Sequence, residues 1–99
     1  MKENNNKNSP TQLHLRLYKG FRNSGIKAFD AGRKYIMIEY KDGRIYLYNY
    51  KTPGEEHVRK MIGAAYKGEK LGTYINKYVR DKYAGPWDDE LKRFILNKN

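Results

Sequence analysis

Leu13, Leu15 and Leu17 alternate with His14, Arg16 and Tyr18, the period-two signature of a half-buried strand. Gly20 and Asn23-Ser24-Gly25 then punctuate the chain. Ile26 to Phe29 reads as a short second strand, with Ile26 and Ala28 on one face, Lys27 and Phe29 on the other, and a turn at Asp30-Ala31-Gly32. The clearest hairpin runs from Tyr35 to Tyr40 and from Arg44 to Tyr50, joined through Asp42-Gly43. Two registers fit it. A two-residue turn pairs Lys41 with Arg44 and puts Ile36, Ile38, Tyr40, Ile45 and Leu47 on one face. A three-residue loop with Gly43 in a left-handed bulge pairs Tyr40 with Arg44 and gathers Ile36, Ile38, Tyr40, Tyr46 and Tyr48 instead. Because side chains alternate, a one-residue slip exchanges the faces of a whole strand.

The period then changes. Thr52-Pro53-Gly54-Glu55 has the chemistry of a helix start, with Thr52 as cap, Pro53 in the first helical position and Glu55 closing a capping box. Val58, Met61, Ile62 and Ala65 follow at helical spacing, and Gly68 is placed to stop the helix. Leu71, Tyr74, Ile75, Tyr78 and Val79 repeat the pattern, predicting a second helix to about Tyr83, where Ala84-Gly85-Pro86 breaks it. Asp88 is positioned to cap a third, short helix burying Leu91, Phe94 and Ile95. The predicted core of the helical layer is Val58, Met61, Ile62, Leu71, Ile75 and Val79 against Ile36 and Ile38. Strands first and helices after predict an α+β fold: an antiparallel sheet around a central hairpin at 35–50, with the C-terminal helices packed on one face. Residues 1–11, polar and rich in Asn, read as a disordered tail, and 12–99 as a single domain.

The segment from Ser24 to about Tyr83 resembles the small KTSF-type domain. The likeness is carried by Ser24, Asp30, the run Ile36-x-Ile38-x-Tyr40-x-x-Gly43-x-x-Tyr46-x-Tyr48, Pro53, and Ala64-x-x-x-Gly68-x-x-Leu71-x-x-x-Ile75. The chain departs from the family pattern at Tyr66, where a small polar residue is expected, and at Leu71, where an aromatic is. The resemblance implies a compact hairpin-plus-helices module spanning 24–83, met alone or appended to larger proteins, some lysyl-tRNA synthetases among them. It implies no activity. It favours the three-residue hairpin loop, which brings Tyr46 and Tyr48 into the core with Ile36 and Ile38.

Charge sets the expected partner. The 99 residues carry 21 Lys and Arg against 11 Asp and Glu, a net charge of +10, and no cysteine. Such an excess points to an anionic partner, RNA or DNA or an acidic protein. It is uneven: residues 51–85 hold eight bases and four acids, whereas 86–99 hold three of each. No run of apolar residues is long enough for a membrane helix, and the N-terminus has no apolar signal region, so no membrane partner and a cytoplasmic location are expected.

The catalytic inventory is thin. His14 and His57 have no second histidine at ligand spacing and read as surface residues, so no metal or cofactor is expected. Glu55-Glu56 and Asp88-Asp89-Glu90 sit at expected helix starts, where negative charge complements the dipole. Ser9 and Ser24 have no base nearby in sequence, and Gly68-x-x-x-Gly72 lacks the Lys-Ser/Thr of a phosphate loop. The expectation is a non-enzymatic binding module contacting nucleic acid, RNA before DNA, or alternatively an interaction module for an acidic protein. Candidate contacts are Lys34, Lys41 and Arg44 on the hairpin, and Lys60, Lys67, Lys70, Lys77 and Arg80 along the helices. Tyr35, with Met37 and Glu39 on the face opposite Ile36 and Ile38, is the candidate for stacking a base.

Overall fold

The computed structural model describes residues 13–97; the tail expected at 1–11 lies outside them. The strands are β1 (Arg16–Leu17), β2 (Ile26–Ala31), β3 (Tyr35–Tyr40), β4 (Ile45–Asn49), β5 (Gly85–Asp88) and β6 (Arg93–Phe94). Between β4 and β5 stand α1 (Glu55–Lys67) and α2 (Leu71–Tyr74), the latter prolonged by a π-turn at Ile75–Val79. The strands form one antiparallel meander in chain order. The fold is α+β, as the order of patterns predicts.

The hairpin takes the three-residue loop. Ile38 pairs with Tyr46 and Ile36 with Tyr48, the Tyr40 N–H donates to the Arg44 carbonyl at 2.8 Å, and Gly43 sits at φ 96°. Ile36, Ile38 and Tyr48 therefore face the helices, where they pack with Val58, Met61, Ala65, Leu71, Ile75 and Val79. Ile62 is an exception to the expected core: it is half-buried at the edge of this cluster. Gly68 ends α1 at φ 77°, its N–H donating to the carbonyls of Ala64 and Ala65.

The opposite face of the sheet is not open. Met37, Leu47, Ala84 and Phe94 make a second buried cluster, flanked by Leu13, Leu15, Tyr35, Ile45 and Trp87. Its cover comes from the two ends of the chain. The expected helix after Asp88 is instead the β5–β6 hairpin. There Asp88 Oδ1 accepts the N–H groups of Glu90 and Leu91 at 2.9 and 3.0 Å, which closes a turn and not a helix. Trp87 and Phe94 pair across the strands, edge to face at 5.1 Å. Phe94 is buried, but Leu91 and Ile95 are exposed.

Four further expectations are corrected. The leucine alternation yields a strand of two residues: Leu13 and Leu15 pack on the second cluster while Leu17 is 57 % exposed. A bulge between Ile26 and Ala28 turns Ile26 onto the same face as Phe29 and leaves Ala28 on the other. The strand runs on through Ala31, so the turn before β3 falls at Gly32–Lys34. The cap of α1 is Gly54, not Thr52. Thr52 is engaged by Asn49, whose Oδ1 accepts the Thr52 N–H at 2.9 Å and whose N–H donates to the Thr52 carbonyl at 2.8 Å.

The last strands are pinned by backbone. Gly85 lies against the 95–96 segment, held by Ile95 N–H to the Pro86 carbonyl at 2.8 Å and Asn97 N–H to the Ala84 carbonyl at 2.7 Å. A Cβ on Gly85 would fall on the Ile95 carbonyl and within 3.0 Å of Leu96 Cα. Gly85→Ala should thus cost about 1–3 kcal/mol in urea unfolding, as overpacked sites do. A loss below roughly 0.5 kcal/mol, the range of neutral surface changes, would mean that the terminal strand is displaced without consequence.

Candidate functional site

Leu71, Ile75 and Val79 recur every four residues and bury one side of the second helix. The helix does not reach Tyr83. Its last turn widens, the Arg80 N–H donating to the Ile75 carbonyl at 2.6 Å, and the chain leaves at Arg80 with φ 44° and ψ −110°. This exit delivers Arg80 and Tyr83 to the end of the β3–β4 hairpin. The three-residue loop has already turned Tyr40, Tyr46 and Tyr48 to that side.

The result is a cleft of about 330 Å³ between hairpin and helix, lined by four tyrosines together with Arg44, Asn76, Arg80 and Asp81. The Tyr46 and Tyr83 rings stack at 4.0 Å, Tyr40 meets Tyr46 edge-on at 5.9 Å, and Tyr48 meets Tyr83 edge-on at 6.2 Å. The Tyr40 and Tyr48 hydroxyls are hydrogen-bonded at 2.7 Å. Burial raises the phenol of Tyr48 far above its usual range and also raises that of Tyr40, although the bond to Tyr48 pulls Tyr40 back. Burial raises the phenol of Tyr83 as well, so Tyr40, Tyr48 and Tyr83 keep their protons at physiological pH and their hydroxyls serve as hydrogen-bonding groups.

The two arginines differ. Arg44 is bound by Asp42, with Nε to Oδ2 at 2.8 Å, and its guanidinium donates to the Tyr46 hydroxyl at 3.3 Å. Arg80 has no ion-pair or hydrogen-bond partner for its side chain among the described residues. A second, glycine-rich trough adjoins the cleft, with Tyr18, Ser24, Lys70, Gly72 and Thr73 in its walls; Asn76 lines both.

The expected contact residues divide by place. Arg44 and Arg80 meet in the cleft, and Lys70 opens the adjoining trough. Lys77 lies on the same helix, its ammonium 5.3 Å from the Tyr78 ring. Lys41, at the hairpin loop, lies 5.8 Å from the Phe21 ring. Lys67 is exposed at the end of α1, and Lys60 is tied to Glu56 at 3.4 Å. Lys34 is at the far end of β3, in a shallow depression with Arg33, Tyr50, Arg59 and Ile62. Tyr35 is half-buried in the second cluster, and burial together with Asp30 raises its phenol. His57 is half-buried, its Nδ1 2.7 Å from the Tyr74 hydroxyl. Among the described residues no group of three His, Cys, Asp or Glu is placed to hold a metal, and no helix is long and apolar enough to cross a membrane.

Sequence reasoning missed Tyr40, Tyr46, Tyr48, Asn76, Asp81 and Tyr83 as cleft residues. The signal for the three hairpin tyrosines was the register; none announced the exit of the chain at Arg80. No family model matches the chain, and no curated protein or solved structure does either. The KTSF-type likeness rests on the residues that carry it.

Proposed function

We propose that the chain is a non-enzymatic, cytoplasmic binding module for nucleic acid, RNA before DNA, held mainly by charge. The observation that carries this reading is the gathering of cations around α2: Lys70, Arg44 and Arg80 line two clefts that share Asn76, and Lys77 stands on the same helix. A net charge of +10 adds long-range attraction for a polyanion. Neutralising several phosphates at once releases counterions, so affinity should fall linearly with salt on a log–log plot, by about 0.9 per phosphate for duplex and about 0.7 for a single strand. Replacing Lys67 and Lys70 by alanine should make the duplex slope shallower by about two units if both meet phosphate. Titration with mixed RNA and DNA in low salt decides the matter, and no binding at micromolar protein sinks the reading.

The second reading, an interaction module for an acidic protein, is favoured by the exposed Leu91, Ile95 and Leu96 of the C-terminal hairpin. A pull-down with and without nuclease separates the two, because a protein partner survives the nuclease.

A further inference from the structure

We infer that the tyrosine cleft seats one unpaired nucleotide of a single strand, with Arg80 as its phosphate contact and the ring of Tyr83, backed by the Tyr46 ring stacked on it at 4.0 Å, as its stacking surface. The inference rests on the nucleic-acid reading above and adds the form of nucleic acid, the place and the residues.

Arg80 is the first ground. Its backbone, at φ 44° and ψ −110°, lies where the first central residue of a type II′ turn lies, a position that favours glycine. Strain of this kind persists where the surrounding structure enforces it, and it gathers at binding sites. Here it holds a guanidinium at a cleft wall. Arg44 is neutralised by Asp42 and Arg59 by Glu55, whereas Arg80 has no such partner among the described residues. A planar fork of donors without an acceptor suits a phosphate.

The rings are the second ground. A base needs a fixed aromatic surface, and the cleft tyrosines are held by one another. The hydroxyls of Tyr40 and Tyr48 bind each other, and that of Tyr46 accepts from Arg44. A volume of about 330 Å³ is at the small end of ligand clefts, enough for a nucleotide and too narrow for a duplex. Asp81 on the same wall disfavours a ligand bearing several phosphates there. The glycine-rich trough, whose wall also carries Glu69, leads past Asn76 to Lys70, about 15 Å from Arg80 at the rise of a helix.

The test is equilibrium binding of a short fluorescent oligoadenylate, against a duplex of the same length and an abasic strand of the same charge. Arg80→Gly should raise Tm, because glycine relaxes the backbone, and yet weaken the single strand and make its salt slope shallower by about 0.7. Tyr83→Ala should weaken oligoadenylate about 5- to 150-fold and leave the abasic strand unchanged. If Tyr83→Ala does not fold, Arg80→Gly decides alone. Wild-type affinity in Arg80→Gly, with the salt slope carried by Lys67 and Lys70, overturns this inference and leaves the broader reading standing. Absence of all nucleic-acid binding by the wild type removes both.

Discussion

Met37→Ala and Ile38→Ala should each lower the unfolding free energy by about 2–5 kcal/mol, although the two side chains point to opposite faces of the sheet. Both are 0 % exposed. Ile38 packs under the helices with Met61 and Ile75, while Met37 packs with Leu47 and Phe94 beneath the C-terminal hairpin. Removing either leaves a cavity that its neighbours cannot fully close, since each is fixed by sheet register on one side and by a covering element on the other. A sheet with one wet face would behave differently: Met37→Ala would then fall within about 0.5 kcal/mol, like other surface changes. Urea unfolding of the two variants at neutral pH reads the difference directly. A small loss for Met37→Ala beside a large one for Ile38→Ala would show that the second cluster adds nothing to stability. Ile62→Ala should cost less than either, because Ile62 is only half-buried.

These contacts mark the limit of what local pattern conveys. The helix-facing side was legible because its signals are short in range: Asp42-Gly43 marks the hairpin and narrows it to two registers, and the one adopted, with the three-residue loop, places Tyr46 and Tyr48 with Ile36 and Ile38. The second cluster was hidden because its cover is remote in sequence. Leu13 and Leu15 come from one end of the chain and Phe94 from the other. Asp88 is ambiguous for a more local reason. An aspartate oxygen accepting the N–H groups two and three residues on is the chemistry of both a helix cap and a turn. What decides between them is the pairing of Trp87 with Phe94, a contact that no helix there could make. The place of Arg80 is set by a departure from regular geometry: the pattern predicts a helix running to about Tyr83, but the π-turn and the positive φ at Arg80 bring that residue beside Arg44.

Alkaline solution should unfold the protein through Tyr48. Its phenol is buried, with only 1 % of the residue exposed, and burial raises its folded-state pKa well above the ordinary value near 10. Tyr40 is raised as well, less cleanly because its bond to Tyr48 opposes burial. In the unfolded chain both release their protons near pH 10; in the folded chain Tyr48 keeps its proton to much higher pH. Folding therefore retains a proton that unfolding gives up. The stability tied to this group is complete below pH 10 and is lost as pH rises beyond it, by about 1.4 kcal/mol per pH unit. Two units above pH 10 the loss from Tyr48 alone is about 2.7 kcal/mol, a large part of the margin of a small domain. Lysines also titrate there and relieve the mutual repulsion of a chain at +10, so the wild-type curve alone would mix two opposed trends. Tyr48→Phe separates them. The variant keeps the ring and its packing, removes the ionisable hydroxyl, and leaves every lysine in place. Unfolding free energies of the two proteins should differ by a constant below pH 10 and diverge above it, the variant losing less with each unit. Curves that stay parallel from about pH 9 to pH 12 would mean that water reaches the Tyr48 hydroxyl in the folded state and that the tyrosine cluster is open to its floor.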